Sequence, residues 1–232
     1  NNGDGLFASD PAFCSAGHES AVSVEFNDFD DDGDSDLAVG IESPDSAVVV
    51  YRNDGAGQFT RLDIPHPVCL SSCEVQGVNW KDIDRDGDDD LIVGTGMNRI
   101  AVFYNMGGML SPQFSRSTTE LTDVNDFAWA DIDGDGWEDL IAAQRDGSDL
   151  IHRNVHGNLS DTPIWRSGDL SDTDQIFALD SDEDGYIEII GYDGSGIWLL
   201  DTVIDNDLDF IRDVGYHDES TDNDNEDIFR FN

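Results

Sequence analysis

The stretch Asp28-Phe29-Asp30-Asp31-Asp32-Gly33-Asp34-Ser35-Asp36-Leu37 occurs four times along this chain in closely similar form. The other copies begin at Asp82, Asp131 and Asp180, and all four share the pattern D-x-D-x-D-G-x-x-[DE]-[LI]. Successive copies begin 54, 49 and 49 residues apart. Repeats of this length are typical of repeat architectures, so the stretch predicts a fold built from similar consecutive units.

The acidic side chains of each copy predict a cation site. Three carboxylates at positions 1, 3 and 5 of a tight loop repel one another, so we expect a cation between them. Calcium takes six to eight oxygen ligands in a flexible shell, whereas magnesium requires a stricter octahedron and keeps its waters. Glycine at position 6 allows the positive φ of a sharp turn. The first half of the loop is similar to an EF-hand loop, but the closing acid stands at position 9 instead of 12.

The remaining positions complete the predicted shell. Position 7 varies from acid to aromatic, so we expect its backbone carbonyl to bind the ion, and we expect the acid at position 9 to close the shell. The predicted calcium ligands are Asp28, Asp30, Asp32, Asp34, Asp36, Asp82, Asp84, Asp86, Asp88, Asp90, Asp131, Asp133, Asp135, Trp137, Asp139, Asp180, Asp182, Asp184, Tyr186 and Glu188. A fifth, degenerate copy with Asp218, Asp222 and Glu226 is expected to bind weakly or not at all. The alternative is a set of solvated acidic turns that bind no ion.

The chain of 232 residues is strongly acidic, with 52 Asp and Glu against 11 Lys and Arg and a net charge of −41. Loop positions 1, 3, 5 and 9 account for 16 of these acids, so calcium explains only part of the excess. Two interpretations explain the remaining acids: a surface adapted to high salt, and an ordinary acidic secreted protein. Nucleic acid is not an expected partner, because binding it needs a basic footprint. No run of about 20 apolar residues predicts a transmembrane segment.

Three cysteines, Cys14, Cys69 and Cys73, leave the disulfide pairing open, and their odd number leaves at least one unpaired within the chain. No further Cys pair or paired His favours zinc. Asn158-Leu159-Ser160 is an N-glycosylation sequon in a predicted exposed turn, and its use stays open.

Each repeat contains four predicted β-strands. The first ends at the Asp-rich loop and, in three copies, carries an aromatic residue two positions before the first Asp: Phe26, Trp80 and Trp129. The second follows the loop as a short apolar run, which is typical of a strand buried on both faces. A third apolar strand ends in a turn rich in Asn and Gly. More polar fourth strands are predicted around Phe59, Phe114, Trp165 and Phe210.

With these motifs the sequence resembles the FG-GAP/VCBS repeats of integrin-α-type β-propellers, in which calcium loops precede a Leu/Ile-x-Val/Ala-Gly strand and a later Asn-x-Gly turn. The similarity covers nearly the whole chain. It implies an all-β fold, a β-propeller of four-stranded antiparallel blades around a channel with the calcium loops on one rim.

We expect residues 1–232 to form one β-propeller domain. The predicted complete blades are about 21–64, 73–118, 124–168 and 173–214, and residues 215–232 with 1–13 form a closing or partial fifth blade. Tyr216 and His217 fall in the predicted first strand of that fifth unit. The front strand can close a five-bladed ring, belong to a window of a larger propeller, or complete the last blade of a second chain by self-association.

The favoured function is an extracellular, calcium-stabilised binding or adhesion module that recognises a glycan or a protein through its rim loops. Cytosolic calcium would leave the sites empty, which favours a location outside the cell. Trp137 and Trp165 are candidates for stacking on sugars, with packing between blades as the alternative.

Two other functions stay open: a carbohydrate-active enzyme similar to polysaccharide lyases with such propellers, and a structural surface or filament subunit. No G-x-S-x-G or H-E-x-x-H motif is present, and no carboxylate pair can be singled out for glycoside hydrolysis. No catalytic residue is therefore predicted.

Overall fold

The computed structural model describes most of the repeats. The described residues are 14, 20–41, 48–55, 58–64, 75–95, 99–111, 116–117, 124–145, 147–167, 172–180, 183, 185–194, 196–201 and 214–217. All regular secondary structure within these ranges is β-strand, as the sequence predicts. No helix in this part of the chain is long and apolar enough to cross a membrane.

The strands form four antiparallel sheets of four strands, each in simple chain order. Sheet 1 contains β1 (Ala21–Asn27), β2 (Asp36–Ile41), β3 (Val48–Asn53) and β4 (Phe59–Asp63). Sheet 2 contains β5 (Val75–Lys81), β6 (Asp90–Thr95), β7 (Arg99–Phe103) and β8 (Arg116–Ser117). Sheet 3 contains β9 (Val124–Ala130), β10 (Asp139–Gln144), β11 (Leu150–His152) and β12 (Trp165–Arg166). Sheet 4 contains β13 (Gln175–Leu179), β14 (Glu188–Tyr192), β15 (Ile197–Asp201) and β16 (Val214–His217).

The second strand of each repeat is the centre of its sheet. Val39 of β2 lies opposite Val24 of β1 and Val49 of β3, so apolar side chains form one row across the sheet. Every residue of β6 and of β10 is buried. The apolar run after each Asp-rich loop therefore forms a strand covered on both faces, as its composition predicts.

The sheets stack face to face in chain order, and each junction has its own apolar core. The first core joins sheets 1 and 2, the second joins sheets 2 and 3, and the third joins sheets 3 and 4. The aromatic residue at the end of the first strand contributes directly, since Trp80 stacks on Phe29 with ring centroids 5.8 Å apart. The first strands β1, β5, β9 and β13 lie side by side in order. This arrangement is β-propeller-like, and it agrees with the fold class predicted from the sequence.

Close sheet packing explains a glycine in the second strand. A Cβ atom on Gly94 would lie 2.9 Å from the ring of Phe127 in sheet 3 and 3.0 Å from Val124 Cβ. Glycine here lets the aromatic ring of the next sheet reach the backbone.

The outer strand of sheet 4 differs from the sequence prediction. Tyr216 and His217 were expected to open a fifth unit, but they belong to β16, which pairs with β15 through Tyr216 opposite Trp198. The predicted centre of that outer strand, Phe210, lies outside the described residues, as does Phe114 of sheet 2. Phe59 and Trp165 do lie on outer strands, in β4 and β12. The rest of the predicted blade division stays a prediction.

The two ends of the stack expose apolar side chains. The starting face of sheet 1 exposes Val22, Val24 and Phe26, and Phe26 is 65% exposed, whereas its counterpart Trp80 inside the stack is buried. The final face of sheet 4 exposes a second set: Phe177, Leu179, Tyr192 and Ile197. On the starting face of sheet 1 the exposure is confined to β1, because Val39, Ile41, Val49 and Tyr51 on the neighbouring strands form a buried cluster of their own. The exposed parts of the two end faces correspond to positions that are buried at the inner junctions.

The cysteine predictions are only partly covered. Cys14 is an exposed free thiol. Cys69 and Cys73 lie outside the described residues, so their pairing stays open.

Candidate metal centre

The four Asp-rich stretches form loops between the first and second strands of each sheet. We name them loop 1 (28–36), loop 2 (82–90), loop 3 (131–139) and loop 4 (180–188). The glycine at position 6 has a φ between 91° and 100° in every loop, as the turn requires. Position 4 also has positive φ in every loop, although three loops have Asp, Arg or Glu there. The sequence pattern does not reveal this second left-handed position.

The carboxylate at position 1 organises each loop from within. It accepts the backbone N–H of the position-6 glycine, at 3.0 Å from Gly33 to Asp28 and at 2.8 Å from Gly136 to Asp131. Position 5 accepts the N–H of position 7, as when Asp86 accepts from Asp88 at 3.0 Å. These bonds close a tight ring and hold the acidic side chains near one another.

Three loops bring three carboxylates together so that one oxygen of each lies within 4.8 Å of the others. The groups are Asp28, Asp30 and Asp36; Asp82, Asp84 and Asp86; and Asp131, Asp133 and Asp135. Loops 2 and 3 thus use positions 1, 3 and 5, whereas loop 1 uses positions 1, 3 and 9. Asp182 and Asp184 of loop 4, and the degenerate fifth copy, lie outside the described residues.

Unsatisfied oxygens in these groups fit a cation. Asp30 Oδ1, Asp82 Oδ1 and Asp131 Oδ1 are buried and have no hydrogen-bond donor. A buried polar atom left without a partner costs about 1–3 kcal/mol, and a carboxylate oxygen costs more. Hard anionic oxygens in groups of three are the donor set that calcium prefers. The three described groups can therefore hold a metal ion, and Asp34, Asp88 and the carbonyl of Trp137 at position 7 lie on the same loops.

The acid at position 9 has a structural role that the sequence analysis did not foresee. In loop 2, Asp90 is fully buried, and its two oxygens accept the N–H of Ile83 at 3.2 Å and of Asn105 at 2.8 Å. Asp139 of loop 3 makes the equivalent pair of bonds with Ile132 and Asn154, at 3.2 and 2.7 Å. Position 9 therefore ties its loop to the turn between the third and fourth strands.

Burial also changes the acidity of these groups. It raises the pKa of Asp90 to about 7, although the two backbone N–H donors lower it in part. It raises the pKa of Asp139 to about 7 in the same way. The pKa values of Asp36 in loop 1 and of Asp84 in loop 2 are raised as well, first by burial. Concentrated, poorly hydrated negative charge is thus a property of these loops, and a bound cation would offset it.

In sheets 2 and 3 an asparagine in the turn between the third and fourth strands joins two loops. Asn105 Nδ2 donates to the carbonyl of Asp89 in loop 2 at 3.2 Å and to the carbonyl of Phe29 in loop 1 at 2.7 Å. Asn154 repeats this arrangement between loops 3 and 2. We call Asn105 and Asn154 the clasp asparagines. The repeated Asn-and-Gly turn was the available sequence signal, but the sequence analysis treated it only as a turn.

The turns also lie against the preceding loop. A Cβ on Gly108 would lie 2.7 Å from Asp30 Cβ, and one on Gly157 would lie 2.5 Å from Asp84 Cβ. Both glycines have positive φ. The loops and these turns therefore form one continuous edge of the stack, which we call the loop rim.

Trp137 and Trp165 have packing partners in place of open faces. Arg85 of loop 2 donates to the carbonyl of Gly136, and its guanidinium lies 4.6 Å from the ring centroid of Trp137. His156 approaches the same ring edge-on at 5.5 Å. Trp165 packs against the core between sheets 3 and 4. These contacts favour the packing role of both side chains over stacking on a sugar.

Comparisons with known proteins agree with the fold. A family model described as FG-GAP-like repeat matches residues 28–93, 82–142 and 131–191. None of the curated proteins compared with the chain is similar to it in sequence.

Several solved structures share the architecture at low sequence identity. One is a humanized mutant of the Chaetomium thermophilum Polycomb Repressive Complex 2 bound to the inhibitor GSK126, with 12% identity, a TM-score of 0.58 and coverage of 83% of this chain and 40% of that chain. Another is BBS1N in complex with ARL6DN, with 12% identity, a TM-score of 0.53 and coverage of 88% and 58%. A third is an Agrocybe aegerita lectin that recognises non-reducing terminal N-acetylglucosamine, with 22% identity, a TM-score of 0.50 and coverage of 85% and 52%. The chain spans roughly half the length of these matched chains.

Proposed function

The chain belongs to the FG-GAP-like repeat family, and from that premise we propose that it is a calcium-stabilised binding module that acts outside the cell. The observation that carries the proposal is the convergence of three carboxylates in each of loops 1 to 3, with buried oxygens that lack a donor. Calcium supplies the positive charge that these oxygens need. No part of the proposal requires a catalytic group.

Calcium would affect ligand binding indirectly, by fixing the shape of the loop rim. Its charge offsets the repulsion among the acids of each loop, so the loop keeps the shape that meets the clasp asparagines. The clasp asparagines in turn fix the turns between the third and fourth strands. These turns expose apolar side chains to solvent: Met106, Met109 and Val155. A rigid edge with exposed apolar groups next to polar loops suits the recognition of a glycan or a protein.

The location follows from calcium availability. Extracellular calcium modules have dissociation constants of about 10⁻⁴ to 10⁻³ M, which only extracellular calcium saturates. The fold shared with the Agrocybe aegerita lectin, which recognises a terminal N-acetylglucosamine, makes glycans the first ligand class to test.

Binding to a glycan array in millimolar calcium and in chelator tests the proposal. We expect retention in calcium that is lost in chelator and reduced by the rim substitutions Met106→Asp and Met109→Asp. Ile164→Asp is the matched control, because Ile164 is also an exposed apolar residue. Its backbone N–H donates to the carbonyl of Ile151 in the third strand of sheet 3. Retention on the array that is the same in calcium and in chelator, or turnover of a polysaccharide, would contradict the proposal.

The exposed end faces favour a second candidate, a structural role through assembly. Phe26 on sheet 1 and Ile197 on sheet 4, which is 58% exposed, lie on faces that are buried at every inner junction. Native mass measurement of the wild type, Phe26→Asp and Ile197→Asp tests this role. A wild-type oligomer that dissociates to monomers in both variants would support a role in assembly, and a monomer in all three proteins would exclude it.

A further inference from the structure

The residue before the turn asparagine differs among the first three sheets. Sheets 1 and 3 have arginine there, Arg52 and Arg153, whereas sheet 2 has Tyr104. Since the turn lies beside the loop of its own sheet, this position determines whether a fixed positive charge faces the acidic group. The three loops are therefore not equivalent in charge.

Arg153 reaches two of the three acids grouped in loop 3. Its Nη2 forms an ion pair with Asp133 Oδ2, and its Nε lies 4.0 Å from Asp135 Oδ2. The side chain of Asp133 is only 2% exposed, so this pair is poorly screened by water. A guanidinium stays charged at every pH at which the protein is folded. The candidate metal site of loop 3 thus has a permanent cation, Arg153, beside it.

Arg52 makes a weaker version of this contact. Its Nε lies 3.8 Å from Asp30 Oδ2 in loop 1. Its closer partner is the exposed Asp54, at 2.8 Å from Nη2 and 2.9 Å from Nε. The charge of Arg52 is therefore shared with a carboxylate outside the loop.

Loop 2 has no such counter-charge in the part of the chain that the structure describes. The hydroxyl of Tyr104 donates to the carbonyl of Gly157 at 2.8 Å, in the next sheet. Arg85 belongs to loop 2 but lies over Trp137 of loop 3. Lys81, at the end of β5, pairs with Glu138 of loop 3. The nearby cations of sheet 2 are thus directed toward loop 3.

We propose that Arg153, and to a smaller extent Arg52, is an internal counter-charge that competes with calcium for the acids of its own loop. A fixed cation repels an incoming divalent ion and lowers its affinity, and it offsets carboxylate repulsion when the ion is absent. Among loops 1 to 3, loop 2 then binds calcium most tightly and depends on it most. This inference rests on the proposed calcium binding and assigns the arginines their role within it.

Calcium titration of single variants tests the inference. Arg153→Met removes the counter-charge, and we expect one site to bind calcium about tenfold more tightly. Arg61→Met is the matched control: it removes the same charge from β4, where Arg61 pairs with Asp63 at 2.8 Å, away from the loops. Arg153→Lys keeps the charge and is expected to keep an affinity close to that of the wild type.

Two further measurements identify the loop whose affinity changes and the effect of the substitution on stability in the absence of calcium. Terbium, a luminescent substitute for calcium, is excited through a nearby tryptophan, and Trp137→Phe identifies the loop 3 component. In chelator we expect Arg153→Met to melt at a lower temperature than Arg61→Met. If Arg153→Met is unfolded in chelator, its calcium affinity can still be measured by starting from the calcium-saturated protein and adding a chelator that competes for the ion.

The outcomes separate this inference from the proposed function. If the wild type binds calcium and Arg153→Met matches Arg61→Met in every site, the inference is wrong and the calcium proposal stands. If the wild type binds no calcium, both are wrong.

Discussion

At the scale of single residues, the acids of each loop have different tasks although they look alike in the sequence. The acid at position 1 accepts the glycine N–H of its own turn with one oxygen, and in loops 2 and 3 its other oxygen has no donor. In loop 1 the oxygen without a donor belongs to Asp30 at position 3. The acid at position 9 is buried and satisfied by two backbone donors. Asp36 of loop 1 has both tasks, because it makes the same two bonds and also belongs to the group of three acids. Burial and hydrogen bonding therefore differ among acids that are identical in residue type.

Asp90→Asn tests the structural role of position 9. The amide keeps one acceptor but presents its NH₂ group to a second backbone N–H, so one buried bond is lost. We expect a loss of about 2–3 kcal/mol in the free energy of unfolding, measured by urea denaturation in saturating calcium. Asp63→Asn, on exposed β4, is expected to change stability little. Equal losses would show that the two buried bonds to Asp90 do not matter.

Asp149 predicts a pH dependence that is separate from the loops. It is buried between sheets 3 and 4 and accepts the N–H of Gln144 at 2.9 Å and the hydroxyl of Thr173 at 2.7 Å. Burial raises its pKa to about 6. Because this pKa lies above the unfolded value, the folded state binds more protons between about pH 4 and 6, and stability falls as pH rises through that window.

Asp149→Asn removes this titrating group and, with it, the pH dependence of stability that it causes. The stability of the variant relative to the wild type should rise by roughly 2–3 kcal/mol between pH 4 and pH 7. Urea denaturation at several pH values in saturating calcium measures the difference. Asp174→Asn is the control, since Asp174 is an exposed neighbour of Thr173. A difference that does not change with pH would contradict the assignment.

At the scale of elements, each loop, turn and first strand is joined to the next sheet in a repeated way. The residue before each loop meets position 8 of the next loop: Asn27 donates to Asp89 at 2.6 Å, and Lys81 pairs with Glu138. Ala130 and Ile187 stand at the equivalent positions of the next junction, and both belong to the third core. The pairs change from polar to charged to apolar along the stack, so each junction favours its own neighbour.

Asn105→Ala tests the clasp between loops 1 and 2. The substitution leaves the buried carbonyl of Phe29 and the partly buried carbonyl of Asp89 without this donor. We therefore expect a loss of about 2–4 kcal/mol in the free energy of unfolding. Asn158→Ala is the matched control, because Asn158 is exposed and its amide reaches only the nearby His156 carbonyl, at 3.2 Å. A loss no larger than that of the control would remove the clasp as a stabilising element.

At the scale of the whole molecule, a chain with net charge −41 must fold against its own repulsion. Part of this charge is concentrated in the loops along one rim, where bound calcium would offset it. The rest is spread over the surface, where only salt screens it. Calcium and ionic strength should therefore stabilise the fold by separate routes.

Chelation should lower the melting temperature sharply at low salt and less at high salt. Each site contributes roughly 2.7 kcal/mol when calcium is a hundred times its dissociation constant, so several sites together rival the stability of a domain. Melting curves with calcium or chelator, each at low and molar NaCl, measure both effects. Magnesium replaces calcium in the control. A melting curve unchanged by chelator at every salt concentration would contradict the calcium role.

The sequence alone predicted the features that depend on neighbouring residues. The fourfold Asp-rich pattern indicated the turn with Gly33 and its counterparts, the grouped acids and the buried strand after each loop, because carboxylate spacing, glycine φ and apolar runs act within about ten residues. The outer strand of sheet 4 was assigned wrongly, because Tyr216 and His217 resemble the start of a repeat and only their pairing with β15 shows otherwise.

Only the tertiary structure decided which groups from different repeats meet. The bond from Asn105 to the Phe29 carbonyl joins residues 76 positions apart, and no local pattern indicates it. The same holds for Arg85 over Trp137 and for the burial that gives Asp90 a structural task. Contacts between sheets depend on how whole sheets stack, and stacking is determined by the sum of many apolar contacts instead of by any one motif.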